Sequence, residues 1–442
     1  MELVYERVAG VDISKTDAVV CVRVAGPRGG ADRRTTTWGA RTSEVLELAQ
    51  FLKEQRVERV VMEATSSYWK PFYFRLQEVG LDVVLANARR VKQIPGRKTD
   101  VADAVWLADL AAHDLVRGSF VQDQPTRQLK DLVRRRTKLI RLRGQEAQRI
   151  EKTLESAGVK LSAPGGKGLT NLMGASGRAM LAVMCRGDYD PVEVAKLAHP
   201  RVKASQADLV EALTGRFTEH HRVLVRSCLD GVDFLTGQIR EVEQRIQCYF
   251  ATGDEPPDDG VSVGPVWRRD MDAKRELLRS IPGVDLVGAE TILAEIGPDL
   301  SSFPTAGHLA SWAGVVPGHN QSAGKSKAAK TREGNKHLKA ALGIAATSAL
   351  RTKGVFLGAF YKRVMVRRGH QRALVAVSRK IIEAVWWILT TGEPYPELGA
   401  NYYDQRRPHN TIRASIKRLT QAGCIIQQNL DGTLTIDMPP DP

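Results

Sequence analysis

The sequence predicts an α/β mixed-sheet domain followed by a mainly helical remainder. Three observations carry that prediction. Residues 7–24 alternate and are rich in valine, as a strand requires. Strand and helix signals then take turns to about residue 113, the order that builds a sheet flanked by helices. From about residue 126 the apolar spacing is that of long helices.

In the first part, Pro27-Arg28-Gly29-Gly30 reads as a turn and residues 35–38 as a short return strand. A helix is expected over about 43–55, a strand over 58–63, and a helix over about 67–79 that stops at Gly80. Residues 82–86 return as strand, and a helix runs from near Asp100 to about His113. Four acids stand out in this frame. Asp12 sits inside an apolar run, Glu63 ends the run Val60-Val61-Met62, and Asp100 and Asp103 stand three apart. A carboxylate inside a strand is costly unless something pairs with it. Asp12 on the first strand, Glu63 at the end of a later one, and Asp100 with Asp103 on one helix face make the layout of a ribonuclease-H-like metal site. Its hard oxygen ligands suit Mg²⁺ or Mn²⁺ rather than zinc. The blander alternatives are Glu63 capping the next helix, Asp100 as an N-cap and Asp103 as an exposed first-turn acid.

Composition narrows the partners. The chain has 442 residues, 43% of them hydrophobic, and a net charge of +15. Its pI is about 9.7. That balance points to a polyanion, most commonly nucleic acid, although solubility alone is an alternative. Charged residues interrupt positions 1–7, so no secretory signal is expected, and the apolar stretch 384–389 is too short to cross a bilayer. The five cysteines are scattered and never form a C-x-x-C, which suggests a reducing cytosol with neither a disulfide framework nor zinc.

The helical remainder opens with cations. Arg134, Arg135, Arg136, Lys138, Arg141 and Arg143 crowd one helix, a run expected to grip a nucleic-acid backbone. Residues 206–250 read as one or two helices, with Leu235, Ile239, Val242 and Ile246 at heptad spacing. A helical hairpin or coiled coil is expected, with an ordinary bundle helix as the alternative. The stretch from 163 onward between these helices reads as partly irregular, and 251–268 as a linker. Helices follow at about 272–280, 286–296, 306–313, 335–351 and 370–390. The tail holds a basic helix at about 410–421 and a hairpin over 424–438 turning at Asp431-Gly432.

A second constellation lies here. Ile281-Pro282-Gly283-Val284 between two helices resembles a helix-hairpin-helix, in which the backbone around Gly283 and Gly288 meets a DNA phosphate. An ordinary tight turn is the alternative. Downstream, Gln321-Ser322-Ala323-Gly324 is followed by Lys325, Lys327, Lys330, Arg332 and Lys336. Cations there would neutralise a phosphoryl transition state, but a serine needs activation to attack. Spacing alone leaves Ser322 between nucleophile and phosphate ligand.

Together these residues resemble a transposase of the insertion sequence 110 family, the DEDD group. Asp12, Glu63, Asp100 and Asp103 match the four acids of its RuvC-like domain, and Ile281–Val284, Gly314-Val315-Val316-Pro317, Gln321–Gly324 and Gly334-Asn335 match its C-terminal transposase domain. The resemblance covers about residues 5–395. It implies a recombinase guided by an element-encoded bridge RNA that pairs with donor and target DNA. It also implies Ser322 as nucleophile forming a transient phosphoserine link, with Ser326 a weaker candidate outside the matched Ser-Ala-Gly. Further implications are a composite site with Mg²⁺ or Mn²⁺, a coiled-coil middle that joins dimers into a tetramer, and a bacterial, cytoplasmic, nucleoid-associated location with no membrane partner. The expected domains are 1–125 (RuvC-like, RNase H-like), 126–250 (helical, oligomerising), 251–269 (linker), 270–395 (transposase domain) and 396–442 (tail). The competing readings are a metal-only nuclease or Holliday-junction resolvase that uses water, and a non-catalytic nucleic-acid-binding protein.

Overall fold

The protein is described here from a computed structural model, over residues 3–26, 30–63, 66–87, 100–162, 167–251, 263–318, 321–322, 325–326, 330–406, 408–428 and 434–437. The chain forms two units, 1–121 and 122–442. The Pro27–Gly29 part of the expected turn, most of the 251–269 linker, and the Asp431-Gly432 turn lie outside the described residues.

The first unit is a five-stranded sheet. Strands β1 (Arg7–Ile13), β2 (Asp17–Ala25) and β3 (Ala31–Gly39) form an antiparallel meander, and β4 (Arg59–Glu63) and β5 (Asp82–Ala86) add parallel to the other side of β1. The order is β3-β2-β1-β4-β5. This mixed sheet with helices is of the RNase H-like kind. Residues 7–24 are therefore two strands rather than one. The chain reverses at Ser14-Lys15-Thr16, where the Ser14 hydroxyl accepts the N–H groups of Thr16 and Asp17. That side-chain turn replaces the Gly or Pro that usually marks a reversal. The return strand is also longer than 35–38, because all nine residues of β3 pair with β2.

Alternation along the strands sorts two cores. Ala9, Val11 and Ile13 of β1 and Val60 and Met62 of β4 pack with α1 (Thr42–Glu54) and α2 (Trp69–Glu78). Val8 and Val61 face the other way, with Ala104, Leu107, Ala108 and Ala111 of α3 (Asp100–Ala112).

In the second unit α4 (Gln124–Ser156) and α8 (Glu219–Cys248) pair along their length. They run antiparallel: Tyr249, just past α8, bonds Gln128 near the start of α4, while Gly231 meets Glu146 further along. Val225, Val232, Ile239 and Ile246 are buried at strict seven-residue spacing. The stretch expected to be irregular holds three short helices, α5 (Ala175–Met184), α6 (Pro191–Ala195) and α7 (Gln206–Leu213), which build their own core with Ile150 and Leu154 of α4.

Beyond them lie α9 (Pro265–Arg279), α10 (Leu286–Ile296), α11 (Ala306–Ala313), α12 (Lys336–Ala349), α13 (Phe356–Arg368) and α14 (His370–Thr391). No helix is expected from the sequence at α13, because only Phe356 and Leu357 of it are buried and no apolar stripe marks it. The tail carries α15 (Tyr402–Arg406), α16 (Pro408–Gln421) and the hairpin β8 (Ile425–Gln428) with β9 (Leu434–Asp437). No described helix is long and apolar enough to cross a membrane.

Candidate metal site and nucleic-acid cleft

Register and parity bring Asp12 and Glu63 of the first unit to one edge of the sheet. β1 and β4 pair in parallel up to Val11 opposite Met62, so Asp12 and Glu63 are the next residues on neighbouring strands. Asp12 lies two residues beyond Gly10, and Glu63 two beyond Val61. Both therefore belong to the sheet face that α3 covers. Gly10 makes the cover possible, because a Cβ there would stand 2.1 Å from the Ala104 carbonyl oxygen and 2.4 Å from the Ala108 nitrogen. Glycine inside a strand often marks such a close backbone approach, so Gly10 is itself a sequence signal of the helix that covers the site.

The direction of α3 follows from two anchors. Its C-terminal end meets residues 4 and 5, whose N–H groups both reach the Ala112 carbonyl. Its middle sits on Gly10. The helix thus runs antiparallel to β1, and its first turn, with Asp100 and Asp103, points toward the end of β1 that carries Asp12. Asp12, Glu63 and Asp103 are all half-buried. The side chain of Asp100 lies outside the described residues. Among the described residues no three metal-competent side chains are gathered closely enough to hold an ion. The donor set itself, carboxylates only, is the one hard divalent cations take. Asp109, two turns along α3, is a different kind of acid, answered by Arg23 at 3.0 Å and Arg33 at 2.9 Å.

The second unit holds a cleft of about 940 Å³ between α4, α10 and α12. Exposed Arg135, Lys138 and Arg141 line one wall and Lys336 another, with Val287, Gly288 and Ile344 between them. The 281–285 turn forms its end. Gly283 has φ +89°, and a Cβ there would come within 2.2 Å of the Ala345 carbonyl, so glycine is required twice over. Asp285 caps α10 by accepting the Gly288 N–H at 2.7 Å.

Two arginines of the expected gripping run are paired with buried acids. Arg136 is 2% exposed and bonds Glu290, itself fully buried, at 2.6 Å. Glu290 also accepts from Gln247 at 2.9 Å. Arg134 makes a bidentate pair with buried Glu295, at 2.7 Å through both Nε and Nη2, which holds its guanidinium above the ordinary range. Assigning Arg136 to a nucleic-acid phosphate is corrected: a buried guanidinium already paired cannot reach one. Glu290 and Glu295 were legible in Leu286–Ile296 as acids inside an apolar helix, the same anomaly that singled out Asp12.

The serine lies in a small hairpin. β6 (Gln321–Ser322) pairs with β7 (Lys325–Ser326), so Ser322 is opposite Lys325. The side chains of Ser322, Lys325 and Ser326, and all of Lys327, lie outside the described residues. The arms below are zipped, with the Gly318 N–H on the Lys330 carbonyl at 2.9 Å and the Arg332 N–H on that of Val316 at 3.2 Å. At the base Gly314 and Gly334 touch backbone to backbone: a Cβ on Gly334 would meet the Gly314 nitrogen at 2.4 Å. Lys330 and Arg332 are exposed on the arms, and Arg143 is half-buried further along α4. None of these three lines the cleft.

Comparison with known proteins gives concordant matches. A DEDD transposase model of IS110 type matches residues 9–158, and one described as the transposase IS116/IS110/IS902 family matches residues 275–362. The transposase for insertion sequence element IS1111A of Coxiella burnetii is 25% identical over 399 residues, covering 88% of this chain and 91% of its own. A putative transposase of Sinorhizobium fredii is 29% identical over 157 residues, covering 34% of this chain and 38% of its own. The 43.6 kDa protein of insertion element IS110 from Streptomyces coelicolor is 33% identical over 135 residues, 30% of this chain and 31% of its own. The chain thus matches about a third of the length of the last two. Among solved structures, Thermus thermophilus RuvC aligns at 16% identity over 26% of this chain and 99% of its own, with a TM-score of 0.21.

Proposed function

We propose that this chain, an IS110-family transposase by its matches over residues 9–158 and 275–362, is a DNA recombinase with two chemical parts. One is a divalent-metal site held by Asp12, Glu63, Asp100 and Asp103. The other is the serine nucleophile Ser322. The observation that carries the reading is the shared edge of β1 and β4, where strand parity and the antiparallel course of α3 direct the acids to one end of one sheet face.

Mg²⁺ or Mn²⁺ bound there would supply electrophilic stabilisation of charge on the phosphate. The chain's own residues do the rest. Ser322 Oγ gives up its proton and forms a bond to phosphorus as the bond from phosphorus to a deoxyribose oxygen breaks, and that oxygen takes up a proton, so none is gained or lost overall. The DNA is left joined to the protein as a phosphoserine. Attack by a DNA hydroxyl on that ester reverses the step, rejoins a strand and frees the serine. Lys325, Lys327, Lys330 and Arg332 offset the charge of the phosphate at the hairpin. Arg135, Lys138, Arg141 and Lys336 hold nucleic-acid backbone in the cleft, with the 281–285 turn acting as a helix-hairpin-helix through its backbone N–H groups.

The resemblance extends the proposal to a bridge RNA that reads donor and target by base pairing. It likewise makes the α4–α8 pair a coiled coil through which dimers and a tetramer form, and assigns 1–125, 126–250, 270–395 and 396–442 as working domains. The test is strand cleavage by purified protein on DNA carrying the element's ends, with its non-coding RNA present. Cleavage should require Mg²⁺ or Mn²⁺ and be lost in Asp12→Asn and in Glu63→Gln. Metal-independent cleavage, or full activity in both variants, would refute the carboxylate site.

A further inference from the structure

We propose that the tip of the α13–α14 hairpin is a wedge for double-helical DNA, with Val366 entering at a base step and arginines clamping the phosphates on either side. The inference rests on DNA being the partner, as proposed above, but on none of the residues that carry the chemistry.

The tip is strongly cationic. Residues 334–382 contain eleven Lys or Arg and no Asp or Glu. Five of the eleven, Lys362, Arg363, Arg367, Arg368 and Arg372, are exposed around the tip, and a single residue, Gly369, joins the two helices there. Gly369 has φ +80°, a backbone state that glycine reaches without strain and that makes the reversal abrupt. Among the described residues no carboxylate pairs with any of these five cations, whereas Arg379 and Lys380, one to two turns further along α14, share Glu383. Arg363 instead lies over the Tyr403 ring, 4.6 Å from its centroid, and α15 is thereby fixed against α13.

Between the cations stands Val366, 83% exposed, next to Met365 at 38%. Lys362 and Arg363 lie one turn before Val366 on the same helix face. Only the first turn of α13 is buried, so packing does not account for an apolar side chain at the far end. An apolar side chain flanked by cations is what minor-groove wedges present: the side chain unstacks a step, and the cations hold the backbone of the bent duplex. Duplex RNA offers such a wedge a poorer site, because its minor groove is shallow and its major groove is closed to side chains.

The test uses the full chain in metal-free buffer, where no cleavage intervenes. The probe is a short A·T-rich duplex with 2-aminopurine at successive steps. Binding should raise the fluorescence at one or two steps, and Val366→Ser should remove that rise while the duplex stays bound. The double variant Arg367→Gln, Arg368→Gln should lower the slope of log affinity against log salt by about 2, at roughly 0.9 per phosphate contact. An undiminished rise in Val366→Ser, an unchanged slope, or a change in oligomeric state in place of either would overturn the wedge. So would the same signals appearing only with duplex RNA. Cleavage assays are read separately, so a failed carboxylate site leaves these signals standing, and a failed wedge leaves metal-dependent cleavage in place.

Discussion

Asn335 donates from its side-chain amide to Oε2 of Glu295 at 2.6 Å, the same oxygen that accepts Arg134. With its other end Asn335 caps α12, Oδ1 accepting the N–H groups of His337 and Leu338. It also follows Gly334, where the two ends of the serine hairpin cross. One buried carboxylate thus joins the cleft wall on α4, the helix after the 281–285 turn and the base of the Ser322 loop.

The buried pair Arg136–Glu290 should behave as a structural unit. Removing one partner strands the other in the core, which costs about 3–5 kcal/mol. Glu290→Ala should therefore lower the urea midpoint sharply, while replacing both residues with apolar ones of similar size should restore much of it. A neutral Glu290→Ala would mean that the pair is not buried as described.

Gly10→Ala should lift α3 from the sheet. The added methyl meets the backbone of Ala104 and Ala108, and overpacking of this kind costs about 1–3 kcal/mol. Because the first turn of α3 carries Asp100 and Asp103, metal-dependent cleavage should fall further than stability does. Thermal melts and cleavage rates on the same preparation check this.

The cleft cations should set the salt dependence of DNA binding. Changing Arg135, Lys138 and Arg141 together to glutamine should reduce the slope of log affinity against log salt by about 2–3, at roughly 0.9 per lost phosphate contact. Arg136→Gln should act on folding instead. An unchanged slope in the triple variant would remove the cleft from the binding surface.

Histidine 337 makes the cleft wall sensitive to acid. Burial, then the charge of Arg134, holds its imidazolium below the ordinary histidine range, with Glu295 pulling the other way. The folded pKa is therefore the lower of the two. As pH falls through the unfolded value, the unfolded chain takes up the proton first and the fold loses stability. Between about pH 7.5 and about 5.5, wild type should lose more of its urea midpoint than His337→Gln. Equal losses would show that His337 titrates normally.

Much of this was legible in the sequence, and the gaps have physical causes. Strand alternation marked Asp12 and Glu63 because a carboxylate contradicts its apolar neighbours. The reversal at Ser14–Thr16 escaped because hydroxyl bonds make it rather than Gly or Pro. Helix α13 escaped because most of it is solvated and it has no apolar stripe to read. Arg136 looked like its neighbours Arg134 and Arg135, since nothing local reveals a partner 154 residues away. Lys325 stands opposite Ser322 in the hairpin, but its side chain, like all of Lys327, lies outside the described residues.

Whether Ser322 forms a covalent bond to DNA is decided by denaturing the protein after reaction with labelled junction DNA, Mg²⁺ and the element's RNA. A slowly migrating protein–DNA band is expected, absent in Ser322→Ala and in Asp12→Asn. Cleaved DNA with no protein attached, equally abundant in Ser322→Ala, would contradict it and leave hydrolysis by water at the carboxylates as the chemistry.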